Sequence, residues 1–333
     1  MGDHVAHLSI LKLIILLLHM NKIYDLHQDL MTHIRFRDAL GQSHQTSFED
    51  ILSSDVDLVI ATAFPFPPHD DQYHSSVPQL ITEELELYHK YLNEHPNWQL
   101  VLEGSDFLSG DQKILLHIEG LNTFDGSIQA WDQLDAWVQM GVRSIGTHWN
   151  IENQLGGGTL QPDVPLTELG ASVIKYLEKN NIIFDLAHMG RQSFFDAANI
   201  TNRPLYVSHG NSDTICSNIR NYTNEQLQLI AESDGVIGMF FANTFVVGKE
   251  TQSTVDDVVA HIDYIKELIG VRHIAIGSDL GGIVTGSVAG LGEVLGTSNL
   301  LDALRKHGYT EIELEAIGWK NADRILRAHL GSK

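Results

Sequence analysis

Eight short runs of apolar and β-branched residues recur along this chain, each separated from the next by a longer amphipathic or polar segment. They are Ile23-Tyr24-Asp25, Leu58-Val59-Ile60, Ile114-Leu115-Leu116, Val142 to Thr147, Ile182-Ile183-Phe184, Leu205-Tyr206-Val207, Val236-Ile237-Gly238 and Ile274-Ala275-Ile276. Strand-like runs alternating with helical patterns are the signature of βαβ units and a parallel sheet. Eight is the number at which such a sheet closes on itself, so the pattern predicts an α/β fold, a (β/α)8 TIM barrel. The intervening segments carry helix-start signals, including Thr254 with Asp257 and Thr310 with Glu313, the spacing of a capping box. Helices are expected over Pro78 to Glu94, Thr167 to Asn180, Asn224 to Glu232, Thr254 to Ile269 and Thr310 to Ala328. Met31 to Ser54 is polar and irregular, and reads as a hairpin or loop insertion after the first strand.

No Pro-rich or Ser-rich linker divides the 333 residues, and 43% of them are hydrophobic, enough for one large core. A single barrel over 21–333 is therefore expected. Ahead of it, residues 1–20 include the apolar run Leu13 to Leu18, too short to span a bilayer. Asp3 precedes this run, no small-residue cleavage site follows it, and the first chemical motif begins at Asp25. The segment reads as a helical cap on a cytoplasmic protein without a stable membrane span; a leader for export is the alternative. A formal charge of −22 argues against nucleic acid, whose phosphates require clustered Lys and Arg. The lone Cys216 excludes an intrachain disulfide, while 18 His are a large supply of metal-ligand side chains.

In a parallel barrel the catalytic groups gather at the carboxyl ends of the strands. Six of the eight strand ends carry a His or a carboxylate: His27 with Asp29, Glu119, His148, His188, His209 and Asp279. Taken singly, each reads more readily as a packed histidine or a capping acid; six together point to a site. In Asp25-Leu26-His27-Gln28-Asp29, strand alternation places residues 25, 27 and 29 on one face, where imidazole and carboxylate suit a divalent cation. His188 and His209 end consecutive strands, whose spacing of about 4.8 Å lets them share an ion. Glu119 lies between these groups around the rim, and a carboxylate's two oxygens can bridge two ions. Nitrogen and oxygen donors without thiolates fit Zn2+, with Mn2+ or Co2+ as substitutes.

Taken in order, these motifs resemble the membrane (renal-type) dipeptidase family, peptidase family M19, a branch of the amidohydrolase barrels. The resemblance runs from about residue 21 to the end. It rests on the Asp-x-His-x-Asp opening, Glu119-Gly120, Thr147-His148, Asp185-Leu186-Ala187-His188, Ser208-His209, Ile219-Arg220-Asn221 and Gly277-Ser278-Asp279. It implies two Zn2+, one held by His27 and Asp29, the other by His188 and His209, with Glu119 bridging. It further implies that His148 polarises the scissile carbonyl, that Arg220 clamps the substrate carboxylate and that Asp279 shuttles protons. The substrate would be a small dipeptide, with tolerance of a D-residue in the C-terminal position, and the assembly a homodimer. Three departures bear on the pocket: Asp279-Leu280-Gly281-Gly282 lacks the aromatic and second Asp usual there, Gly146 stands where a larger residue is common, and His117 precedes Glu119 by two residues.

Two other readings compete. A related amidohydrolase acting on N-acyl amino acids or cyclic amides would need the same metals, and would differ in whether a free amino group is recognised. A catalytically inactive binding barrel would have lost Asp279 or a metal ligand, and all are present.

Overall fold

The computed structural model describes residues 22–39, 41–65, 78–248 and 251–331. The apolar segment 1–20, read as a cap or a leader, lies outside the described residues. Among the described residues nine strands follow one another: β1 (Ile23–Gln28), β2 (Val56–Ala63), β3 (Trp98–Leu100), β4 (Gln112–Glu119), β5 (Val142–Gly146), β6 (Ile183–Asp185), β7 (Tyr206–Gly210), β8 (Val236–Met239) and β9 (Ile274–Ile276). All their pairings are parallel. Eight form a closed ring in the order β1-β2-β4-β5-β6-β7-β8-β9, with β9 returning to β1 and a register from Leu58↔Lys113 to Ala63↔Ile118 joining β2 to β4. β3 pairs only with the start of β4 and stays outside the ring. The eight apolar runs are thus the eight staves of a (β/α)8 barrel.

Period-two alternation divides each stave between two cores. Tyr24, Leu26, Leu58, Ile60, Leu115, Ile183, Tyr206, Val236 and Ala275 come from seven of the barrel strands yet form one cluster, which only the lumen permits. Ala322, Ile325, Leu326 and Leu330 of the helix Asn321–Leu330 join it, so the last helix plugs the floor. The opposite faces, including Val59, Ala61, Ile114, Leu116, Ile118 and Ile145, pack outward against helix residues such as Leu85, Leu134, Val173, Leu177 and Val258. Each such apolar side chain contributes roughly 1.5–3 kcal/mol when fully buried.

The expected helices are observed at Pro78–Glu94, Glu168–Lys179, Asn224–Glu232 and Val255–Ile269. Both capping signals act as read: the Thr254 N–H donates to Asp257 Oδ2 at 2.8 Å, and the Thr310 N–H to Glu313 Oε2 at 2.9 Å. The helix expected from Thr310 to Ala328 is interrupted. It comprises Glu311–Glu315, a π-helical turn over Ala316–Lys320, and Asn321–Leu330. The wide turn carries Trp319 onto Tyr24, ring centroids 6.0 Å apart, at the lumen floor. The Met31 to Ser54 stretch also departs from expectation, because it holds two short helices, Leu30–Phe36 and Phe48–Leu52, the second capped by Ser47 Oγ accepting from the Asp50 N–H at 3.1 Å. Among the described residues, no helix is long and apolar enough to cross a membrane.

Candidate metal centre

His27 follows Leu26, a lumen residue, so strict alternation would turn it out of the barrel. The pairing of β1 with β2 is irregular between Asp25 and Gln28, and β7 is irregular against β8 between Val207 and Gly210. Irregularities of this kind re-aim the next side chain, and here they accompany the inward turn of His27 and His209. The expectation that residues 25, 27 and 29 share one inward face is corrected accordingly. Asp25 instead accepts the Ser278 N–H at 2.9 Å and the Gln28 amide at 2.7 Å, tying β1 to the segment after β9. Asp185 does the same between β6 and β7, accepting the Ser208 N–H at 3.0 Å.

Two further residues of the site depend on left-handed backbone. His188 has φ 62° and Asp279 has φ 61°, and Asn150 beside them has φ 54°. Such conformations cost non-glycine residues about 1–3 kcal/mol and persist where surrounding structure enforces them.

These devices bring six of the anticipated residues together. His27, Asp29 and Glu119 each present a ligand atom within 4.8 Å of the others, and so do Glu119, His188 and His209. Glu119 therefore belongs to both sets, with its Oε1 3.5 Å from His27 Nε2, 3.0 Å from His188 Nε2 and 3.8 Å from His209 Nε2. His188 Nε2 and His209 Nε2 are 3.0 Å apart. Asp279 Oδ1 is 3.6 Å from His27 Nε2. Behind Asp29 the chain passes closely: a Cβ on Gly282 would lie 2.1 Å from Asp29 Oδ2 and 2.9 Å from Asp279 Oδ1.

This crowd of acceptors is electrostatically incomplete as a set of protein atoms. Burial first, then the neighbouring carboxylates, pushes Glu119 and Asp279 well above the usual acid range, and burial raises Asp29 to about 7. Burial, helped by neighbouring imidazoles and Arg220, holds His27, His188 and His209 well below their ordinary value, leaving them neutral with a lone pair to give. Asp29 Oδ1 and Glu119 Oε1 are buried without a hydrogen bond. Uncompensated carboxylates in so dry a place are costly, and divalent cations among three imidazoles and two acids would supply the compensation. The donor set fits zinc.

The surrounding residues orient the imidazoles. His188 Nδ1 lies 2.8 Å from Asn150 Oδ1, and His209 Nδ1 2.9 Å from Ser208 Oγ. His148, buried and lowered to about 4 by that burial, has Nδ1 2.9 Å from Thr147 Oγ1 and an unpartnered Nε2. Arg220 is 5% exposed; its Nη2 donates to the His209 carbonyl at 3.1 Å, and its Nε is buried without a partner. Its charge lowers both Glu119 and Asp279 against the larger effects that raise them. Asn150, Thr62 (Oγ1 3.3 Å from His27 Nε2) and Glu84 were not singled out by sequence reasoning. The available signal for Asn150 was its place two residues after His148, in a residue type that tolerates positive φ.

Residues 12–331 match the family model of the membrane dipeptidases, peptidase family M19. The chain belongs to this family. Membership places this M19 protein among metal-dependent dipeptidases, hydrolases built here on a (β/α)8 barrel. An uncharacterised protein encoded in the pqqA 5′ region of Klebsiella pneumoniae is 35% identical over 224 residues, 64% of this chain and 81% of that one. Dipeptidase aclJ of Aspergillus oryzae is 26% identical over 257 residues, 73% of this chain and 60% of its own length. Among solved structures, a dipeptidase AC described as an M19 metallopeptidase superposes with TM-score 0.81 at 21% identity, covering 93% of the M19 chain and 99% of its own. A Rhodobacter sphaeroides metallopeptidase liganded with a phosphinate mimic of L-Ala-D-Ala gives TM-score 0.80 at 22% identity, covering 92% and 99% respectively.

Proposed function

We propose that the chain is a binuclear zinc dipeptidase acting on dipeptides with a free C-terminal carboxylate, with residues 21–333 as one catalytic unit. The observation that carries this reading is the pair of three-residue ligand sets sharing Glu119. His27 and Asp29 would hold one ion, His188 and His209 the other, and Glu119 would bridge. When bound, such a pair acidifies water near neutral pH and stabilises the charge that develops on the carbonyl.

The chain's own residues do the rest. Asn150 Oδ1 accepts only, so His188 carries its proton on Nδ1 and keeps the Nε2 lone pair for a cation. His148 takes the opposite tautomer: the Thr147 hydroxyl donates to Nδ1, and the Nε2–H donates to the substrate carbonyl oxygen as it gains charge. Asp279 takes the proton that the attacking water gives up and returns it to the leaving amine, which one carboxylate beside the reacting atoms can do in turn. The Arg220 guanidinium, with Nε unengaged, receives the terminal carboxylate. A D-residue at that end is consistent with the ligand of the Rhodobacter sphaeroides relative.

A panel of L,L- and L,D-dipeptides, N-acyl amino acids and cyclic amides, assayed with chelator and then with restored zinc, tests the proposal. Zinc-dependent cleavage of free dipeptides is the expected result; turnover confined to N-acyl or cyclic substrates, or unaffected by chelation, would overturn it.

A further inference from the structure

Five imidazoles are buried at or just below the centre: His27, His117, His148, His188 and His209. Four have an oxygen at Nδ1: Ser144 Oγ at 2.9 Å for His117, Thr147 Oγ1 for His148, Asn150 Oδ1 for His188 and Ser208 Oγ for His209. His27 differs, because its Nδ1 is buried with no hydrogen-bond partner among the described residues. A His that gives its Nε2 lone pair to a cation carries its proton on Nδ1, and that proton needs an acceptor. Next to His27 lies a second orphan, His117 Nε2, with the ring centroids 5.2 Å apart. His117 Nε2 in turn stands 3.7 Å from Asp185 Oδ2, too far for a hydrogen bond and suited to a bridge. A ring nitrogen of His27, one of His117 and a carboxylate oxygen of Asp185 lie within 4.8 Å of one another.

We propose that His117 is a positioning residue: with Asp185 it encloses an internal water beneath the centre, and that water fixes the ring of His27. The hydrogen-bond accounting closes. The His27 Nδ1–H donates to the water, which donates to His117 Nε2 and to Asp185 Oδ2. His117 passes its own Nδ1–H to Ser144 Oγ. Each orphan is satisfied, and a buried water with three polar partners is of the ordinary kind. The inference rests on the two-ion reading of the site, and it gives His117 a role that a merely packed histidine would not have.

The test compares the full-length wild type with His117→Leu and His117→Gln. Zinc affinities are measured by competition with a chromophoric chelator, and thermal melts are taken on the metal-free proteins. His117→Leu removes the bridge while adding no buried polar group; it should weaken one of the two ions by about 10–100-fold, as loss of outer partners of a ligand does. The other ion and the metal-free melt should stay unchanged. His117→Gln, whose amide can still meet the water, should recover most of the loss. A crystal of the zinc-loaded wild type should show the water on His27 Nδ1, His117 Nε2 and Asp185 Oδ2. Wild-type affinity for both ions in His117→Leu would overturn the inference while leaving the two-ion reading intact. So would equal weakening of both ions together with a lowered metal-free melt. A wild type that takes up fewer than two zinc ions would overturn the two-ion reading itself.

Discussion

Asp279 stands at the end of β9 in a left-handed conformation, φ 61°, with its carboxyl raised by burial and by Asp29. A strained residue held beside a ligand cluster has its side chain placed by the backbone rather than by rotamer preference. Asp279→Asn preserves shape and removes the exchangeable proton. It should lower kcat by roughly 10²–10⁴-fold, the usual worth of general acid–base catalysis, with zinc content unchanged by elemental analysis. Turnover near the wild-type rate would remove the proton-shuttle role. Arg220 makes a different prediction because its proposed contact is with the substrate's end, not its reacting bond. Losing a charge-assisted hydrogen bond of about 1.5–3 kcal/mol should reduce kcat/KM of Arg220→Ala roughly 10- to 100-fold on free dipeptides. Dipeptide amides, lacking the carboxylate, should be nearly indifferent to the change, and an equal loss on both would argue against the clamp.

At the scale of elements, the loop after β9 shows how a departure from the family pattern becomes a constraint. Gly281 has φ 94°, and a Cβ on Gly282 would press to 2.1 Å from Asp29 Oδ2. Gln45 holds this loop from the other side, its Oε1 accepting the Gly281 N–H at 2.8 Å and its Nε2 donating to the Ile283 carbonyl at 2.7 Å. Gly282→Ala should therefore displace Asp29 and weaken zinc binding by about 10–100-fold while the barrel still folds, a difference read by metal titration beside circular dichroism. Retention of full affinity would show that the loop gives way instead. The same scale explains what could be read in advance. The staves were legible because each pairs a lumen residue with an outward one, as Leu58 does with Val59. Glu119 was legible because it continues the alternation of Leu115 and His117 along a strand whose register with β2 is unbroken from Lys113 to Ile118. The route by which His27 and His209 enter the mouth was not, because a bulge is a matter of pairing between strands that lie far apart in sequence. The helices within Met31 to Ser54 were hidden by polar composition, although Ser47 with Asp50 already carried a cap signal.

The whole molecule couples the centre to its own stability through acids that the barrel buries. Burial raises Asp29 to about 7 and Glu84 to about 8, and lifts Glu119 and Asp279 well above the usual range. An acid whose folded value exceeds its unfolded one contributes stability that is present at low pH and lost as pH rises through the folded value. The buried histidines act oppositely, since their folded values are depressed; their contribution is lost as pH falls below about 6.5. The two trends compete below that point, and only the acids remain above it. Metal-free protein should therefore lose thermal stability as pH rises from about 6.5 to 8. Zinc held as proposed at Asp29 and Glu119 would replace the protons there and should raise the melting temperature most at the alkaline end, by an amount that grows with free zinc. What remains of the alkaline loss then belongs to Asp279 and to Glu84, which is fully buried on the helix Pro78–Glu94 and accepts the Phe64 N–H at 3.0 Å. Glu84→Gln should flatten the residual slope in the zinc-loaded protein. Melting curves across this pH range, with and without zinc, decide the matter, and a metal-free protein that gains stability toward pH 8 would contradict the burial of these acids.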